Sequence, residues 1–165
     1  MHLLKNDLLS GRTTDMRVET DAEIAALLAS VKTVAVVGVS ANVSRPSYKV
    51  FEFWCERDVK VIPVNPRLAG QVLCDRTVVP ALSDINESID LVDIFRAGHH
   101  LPPVIDEALA AGVGAIWTQL GVRHPQAEET VLVSGTRLVV DRCPAIEIPR
   151  LTRLGYETDH ERLEV

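Results

Sequence analysis

Between residues 33 and 38 the chain reads Thr-Val-Ala-Val-Val-Gly, without a polar position on either side of the pleat. A β-branched run without alternation is the pattern of a strand covered on both faces, at the centre of a parallel sheet. Similar runs occur at 59–65, 91–95, 115–119 and 137–141, with 77–79 as a shorter candidate for an edge strand. Between them the apolar spacing changes to three and four. Ile24, Leu27, Leu28 and Val31 predict a helix over 22–30 capped by Thr20 or Asp21, and Val50, Phe51 and Trp54 predict a second from about 47 to 57. Further helices are expected near 102–111, closed by Gly112 and Gly114, and around 126–133. Beyond Pro144 no regular element is expected.

Strands alternating with helices of about ten residues predict right-handed crossovers and one doubly wound parallel sheet, an α/β Rossmann-like domain with helices on both faces. The expected strand order is 3-2-1-4-5, with residues 33–38 as strand 1 and residues 91–95 beside it after the chain reverses direction. Pro63 marks the second strand as an outer strand or marks a strand end, because proline cannot donate to a ladder. In such a sheet a ligand lies outside the carboxyl ends of the strands at the switch point. Those ends read Gly38-Val39-Ser40, Asn65-Pro66-Arg67, Phe95-Arg96, Gln119 to Gly121 and Arg142-Cys143, rich in glycine, arginine and amides. After Gly38, the sequence Ser44-Arg45-Pro46-Ser47 is a helix start, with a serine oxygen available to cap and proline suited to the first turn. Strand, loop and helix N-terminus in that order suit the phosphates of a nucleotide-like small molecule.

Length sets one domain: 165 residues suffice for a core without disulfide or metal. We divide the chain into an N-terminal arm over 1–19, the domain over 20–151 and a charged tail over 152–165. A formal charge of −6 opposes nucleic-acid binding, which requires a basic face, yet leaves room for a small anion held by a few arginines. The odd set Cys55, Cys74 and Cys143 has no paired spacing and suits a reducing cytoplasm. No signal-like start or membrane-length apolar run is visible, so a cytoplasmic protein without membrane contact is expected. The uncommitted arm and the outer strand with Pro63 leave a homodimer or a partner enzyme open.

The loop narrows the ligand. The dinucleotide fingerprint is incomplete, since Ser40 and Val43 stand where glycines would, and no phosphate loop of the ATP-hydrolysing kind occurs. The second strand ends in Asn65-Pro66-Arg67 rather than in the carboxylate that would hold a ribose 2′-hydroxyl. That disfavours NAD and leaves two phosphorylated nucleotides, NADP and coenzyme A.

Five motifs then make a resemblance. Gly38-Val39-Ser40 with Arg45-Pro46-Ser47-Tyr48, Val61-Ile62-Pro63-Val64-Asn65-Pro66, Val92-Asp93-Ile94-Phe95-Arg96, Trp117-Thr118-Gln119-Leu120-Gly121 and Asp141-Arg142-Cys143-Pro144 follow in order. Over roughly residues 21–151 the chain resembles the small bacterial and archaeal CoA-binding proteins, a stand-alone form of the CoA-binding domain of the succinyl-CoA synthetase α subunit. The resemblance implies a Rossmann-like fold that binds coenzyme A or an acyl-CoA. It places the backbone of Gly38, Val39, Ser40 and Ala41 around the pyrophosphate, with Arg45, Pro46 and Ser47 at the helix start. Asn65, Pro66 and Arg67 fall beside the adenosine phosphate, Phe95 and Arg96 line the nucleotide pocket, and Gln119 and Cys143 lie toward the thiol end. The synthetase's second domain, with its phosphorylated histidine, has no counterpart here, so its activity is not carried over.

Other readings of these residues are weaker. Gly38-Val39-Ser40-Ala41-Asn42 approximates a nucleophile elbow but lacks its last glycine, and no histidine and aspartate follow in a supporting order. His99 and His100 are adjacent, so they diverge and have no third metal ligand. Cys143 reads as a small buried cysteine, Trp54 as core and Lys49 as solvated. The expectation is a CoA-binding module with no catalytic residues and no metal; an NADP-dependent oxidoreductase using the same crevice is the alternative.

Overall fold

A computed structural model describes residues 15–158. Helix α1 (Asp21–Ser30) starts at Thr20, whose hydroxyl accepts from the Glu23 N–H while the Glu23 carboxylate accepts from the Thr20 N–H, a reciprocal cap. It leads into β1 (Thr33–Val37), followed by α2 (Pro46–Cys55) and β2 (Lys60–Val64). A short antiparallel pair, β3 (Val72–Leu73) and β4 (Arg76–Thr77), precedes β5 (Leu91–Ile94). Then come α3 (Leu101–Ala110), β6 (Ala115–Thr118), α4 (Pro125–Val133), β7 (Arg137–Val139) and α5 (Pro144–Arg153).

The sheet is parallel throughout, in the order β2-β1-β5-β6-β7, with β1 between the strand that follows it and the strand at which the chain reverses. This is the doubly wound arrangement expected. The short strand foreseen at 77–79 is reduced to a single parallel bridge between Val79 and Val64, because residues 76–77 pair instead with Val72 and Leu73 through a turn at Cys74 and Asp75. Pro63 sits in β2 on the outer side, as its missing donor demands.

Strand residues alternate between two apolar layers. Val34, Val36, Leu91, Trp117 and Val139 face α1, α2 and α5 through Leu28, Phe51, Trp54, Ile148 and Leu151. Ala35, Val37, Val92, Ile94, Ile116 and Leu138 face α3 and α4 through Leu101, Ile105 and Val131. Both faces of the central strands are therefore dry, which is why their sequences show no polar alternation.

Two expectations are corrected. The segment after Pro144 is the helix α5, not irregular chain. Pro144 occupies its first turn, and Ile148 and Leu151 bury against the sheet at helical spacing, which holds the helix despite the internal Pro149. Arg150 ties α5 to α1, bonding Asp21 at 2.7 and 3.1 Å and Glu147 at 2.5 and 3.1 Å. The described end of the arm is also not loose: Val18 is buried, its N–H donates to Leu138 O, and Leu138 N–H donates to Met16 O, extending the sheet beyond β7. The rest of the arm, residues 1–14, and the tail residues 159–165 lie outside the described residues. Among the described residues no helix is long and apolar enough to cross a membrane.

Candidate nucleotide-binding site

The register of the sheet aligns the carboxyl ends of its strands: Val37 stands beside Val64 and Ile94, and Ile94 beside Thr118. Gly38, Asn65, Phe95 and Gln119, each next after one of these, therefore share one rim. Gly38 has φ +86, in the left-handed region, and a Cβ there would run into the Phe95 carbonyl oxygen, with Phe95 C at 3.0 Å and Arg96 Cδ at 3.4 Å. Only glycine lets the β1 loop pass so close to the β5 end.

Beyond Gly38 the loop is held by its own side chains. Ser47 Oγ accepts from Ser40 N–H at 3.1 Å, Ser40 Oγ from Asn42 N–H at 3.0 Å, and Asn42 Oδ1 from Ser44 N–H at 3.0 Å and Ser44 Oγ at 2.7 Å. The Ser44 hydroxyl is thus spent inside the loop and does not cap α2, contrary to the sequence expectation. Arg45 is the N-cap residue, no side chain caps the helix, and Pro46 takes the first turn as foreseen. In that first turn Pro46 has no N–H and Tyr48 N–H bonds Arg45 O at 3.1 Å, so Ser47 N–H is the donor left to an external acceptor at the positive end of α2 among the described residues. Asn65 braces the loop from the neighbouring strand: its Nδ2 donates to Val39 O at 2.8 Å, and its Oδ1 accepts from Arg67 N–H at 2.9 Å, starting the short turn Pro66–Leu68.

Of the residues singled out from the sequence, Ala41, Arg45, Pro46, Pro66 and Arg67 are exposed. Phe95 and Arg96 are half-buried, while Val39, Ser47 and Gln119 are buried. Among the described residues Arg45, Arg67 and Arg96 form no ion pair. Arg67 and Arg96 follow the ends of β2 and β5, and Arg45 stands at the start of α2, in a chain of net charge −6. Tyr48, one turn into α2, meets Phe51 edge-on and places its hydroxyl 3.6 Å from Cys74 Sγ, and this contact with burial pushes its pKa up to about 12.

Beneath the rim lies a group that the sequence reading passed over. Asp93, fully buried in β5, accepts Trp54 Nε1–H at 3.1 Å on one oxygen and Gln119 Nε2–H at 2.5 Å on the other. Burial outweighs both hydrogen bonds and raises its carboxyl to about 7. Its signal in the sequence was a lone aspartate inside an apolar strand, a placement that burial makes costly. Trp54 belongs to the core as expected, and it also serves as donor to this carboxylate. Cys143, at the start of α5, is buried, and desolvation pushes its thiol up, which fits the inert reading. It lines a cavity of about 350 Å³ at the ends of β6 and β7, together with Leu120, Arg123, Asp141, Arg142 and Ile146. His99 and His100 do not diverge as expected: their rings lie 4.0 Å apart between centroids, tilted by 45°, on an exposed turn, and among the described residues no cluster suited to a metal is present.

A family model described as the CoA binding domain matches residues 32–149. The chain belongs to that family. The match begins just before β1 and ends inside α5, so it contains every strand end on the rim. Uncharacterized protein YneT of Bacillus subtilis strain 168 is 30% identical over 128 residues, covering 78% of this chain and 93% of the relative. Among solved structures, cell-free ID.343 from Thermus thermophilus is similar at 38% identity with a TM-score of 0.78, covering 81% of this chain and 99% of that one. A hypothetical protein from Pyrococcus horikoshii OT3 is 29% identical with a TM-score of 0.77, covering 81% and 93%. A dinucleotide-forming acetyl-coenzyme A synthetase from Ca. Korarchaeum cryptofilum shares the fold at 22% identity and a TM-score of 0.53, this chain spanning 25% of its length. The same fold thus occurs in chains of about this length and in one segment of a much longer enzyme.

Proposed function

We propose that the protein binds coenzyme A or an acyl-CoA across the carboxyl ends of its parallel sheet and has no chemistry of its own. The observation that carries this reading is the Gly38 loop, which leads into a helix without a side-chain cap, with Arg45 at that helix start, Arg96 Cδ 3.4 Å from a Cβ at Gly38, and Arg67 following β2, none of them ion-paired among the described residues. A pyrophosphate accepts from backbone N–H groups at such a helix start, and an arginine after β2 suits the extra phosphate that distinguishes CoA from dephospho-CoA. Membership of the CoA binding domain family supports the choice of CoA over NADP. The chain's three free cysteines suit a reducing compartment, and we place it in the cytoplasm.

Thermal unfolding with CoA, acetyl-CoA, dephospho-CoA, NADP and NAD tests the reading. A ligand at about a hundred times its dissociation constant adds roughly 2.7 kcal/mol. At about 2–4 °C per kcal/mol for a chain of this size, the midpoint rises by roughly 5–10 °C. CoA should stabilise most and dephospho-CoA less, and Arg67→Ala should remove that difference. Stabilisation by NADP alone would refute the CoA reading and return the site to a reductase.

A further inference from the structure

The two oxygens of Asp93 are each assigned one donor, and the two donors differ in kind. The Trp54 indole N–H can only donate, so the oxygen facing it must always accept. Gln119 is ambivalent: its amide presents either NH₂ or C=O depending on what faces it. It turns its NH₂ inward at 2.5 Å, the orientation that an ionised carboxylate calls for. Its carbonyl Oε1 takes no hydrogen bond among the described residues, yet it is not among the buried polar atoms left without a partner. That oxygen therefore reaches solvent, at the residue that follows β6 and whose N–H bonds Ile94 O beside the Phe95 turn.

We propose that Asp93 is a positioning residue that holds Gln119 with its amide carbonyl toward the crevice, presenting a hydrogen-bond acceptor to a ligand N–H. This rests on the CoA reading, in which the N–H groups available near the thiol end are the two amides of the pantetheine arm. A buried carboxylate then selects the chemistry of a rim residue it never exposes. The arrangement is also sensitive to protonation, with a definite sense. A proton added to Asp93 must go to the oxygen facing Gln119, because the other already receives the indole donor. The resulting O–H donates outward, Gln119 turns over to accept it, and NH₂ replaces C=O at the crevice. The groups facing Asp93 are Trp54 from α2, Gln119 after β6 and the Cys143 thiol at the start of α5, kept neutral by its own burial, with apolar Val36 and Trp117 beside it in the sheet.

Asp93→Asn fixes the protonated pattern: its single oxygen must serve Trp54, leaving its NH₂ against Gln119. CoA affinity is measured by calorimetry from pH 5.5 to 8.5 for the wild type, Asp93→Asn, Gln119→Met and the double variant. At pH 8.5 Asp93→Asn should bind CoA about tenfold more weakly, and the gap to wild type should close toward pH 5.5 with a midpoint near 7. Taking the ratio of the two proteins at each pH cancels titration of the ligand phosphate. In the Gln119→Met background Asp93→Asn should cost no further affinity. Equal affinity of wild type and Asp93→Asn at pH 8.5 overturns the proposal, as does an equal loss in the Gln119→Met background, which would make Asp93 merely structural.

A second readout does not depend on CoA. The Gln119 side-chain amide resonance, assigned by its loss in Gln119→Met, should move with pH around 7 in the wild type and stay fixed in Asp93→Asn. An amide that does not titrate overturns the positioning role. A titrating amide in a protein that ignores CoA upholds the Asp93 to Gln119 control and overturns the ligand reading.

Discussion

Replacing Gly38 by alanine tests the close passage of two chain segments on which the site depends. The perturbation is one methyl group, and it meets two separate costs. Gly38 has φ +86, where an L side chain loses about 1–2 kcal/mol against the carbonyl that follows. The methyl would also overlap the Phe95 carbonyl, which is backbone and cannot swing aside: Phe95 N–H is bonded to Val37 O at 2.8 Å and Gly38 N–H to Val64 O at 2.9 Å. Forcing such a contact apart costs about 1–3 kcal/mol, as in other overpacked interiors. Together these give about 2–5 kcal/mol, or a fall in Tm of roughly 4–20 °C at this chain length. Gly112→Ala is the control, because Gly112 also has a positive φ, +67, but a Cβ there meets nothing within 4 Å. It should lose only the backbone cost, and the gap between the two variants measures the contact with Phe95. Thermal and urea unfolding of both variants gives the comparison, with CoA calorimetry on whatever remains folded. Gly38→Ala as stable as Gly112→Ala, with undiminished CoA binding, would refute the claim that this crossing shapes the site.

Asn65→Ala leaves Val39 O and Arg67 N–H without their partner, which should cost about 1–3 kcal/mol in urea unfolding and weaken CoA binding more than it weakens the fold. Stability should also depend on pH through Asp93. Its folded carboxyl keeps the proton up to about 7, whereas the unfolded one releases it near the ordinary 3.8, so between these values the native state binds more protons. The stabilising contribution is therefore full below about pH 4, declines as pH rises toward 7 and is flat above; about three units correspond to roughly 4 kcal/mol at most. Unfolding free energies of wild type minus Asp93→Asn across pH 4–8 should trace that decline, and a difference that does not change with pH would contradict it.

The amino-acid sequence by itself determined the class of fold and which residues stand at the carboxyl ends of the strands, where the proposed site lies. The run from Thr33 to Gly38 is apolar on both sides of the pleat, and a strand so written has one stable place, between two layers of helices. Glycine, arginine and amide residues at successive strand ends then pointed to one rim, since parallel strands bring all their carboxyl ends together. These signals are local, with the period of an element and the residue that ends it. What the tertiary structure decided was partnership across the sequence. Ser44 bonds within the loop rather than capping α2, because Asn42 comes within reach of it first. Helix α5 forms through Pro149 because Ile148 and Leu151 find the sheet and Arg150 finds Asp21, a residue 129 positions away. Asp93 passed unremarked within its motif, and only the fold shows Trp54 and Gln119, from 39 and 26 residues away, donating to it. Periodicity reports how a segment meets its surroundings on average. It carries no information about which donor, from which distant element, arrives at a given oxygen, and at Asp93 that pairing was set by the tertiary structure alone.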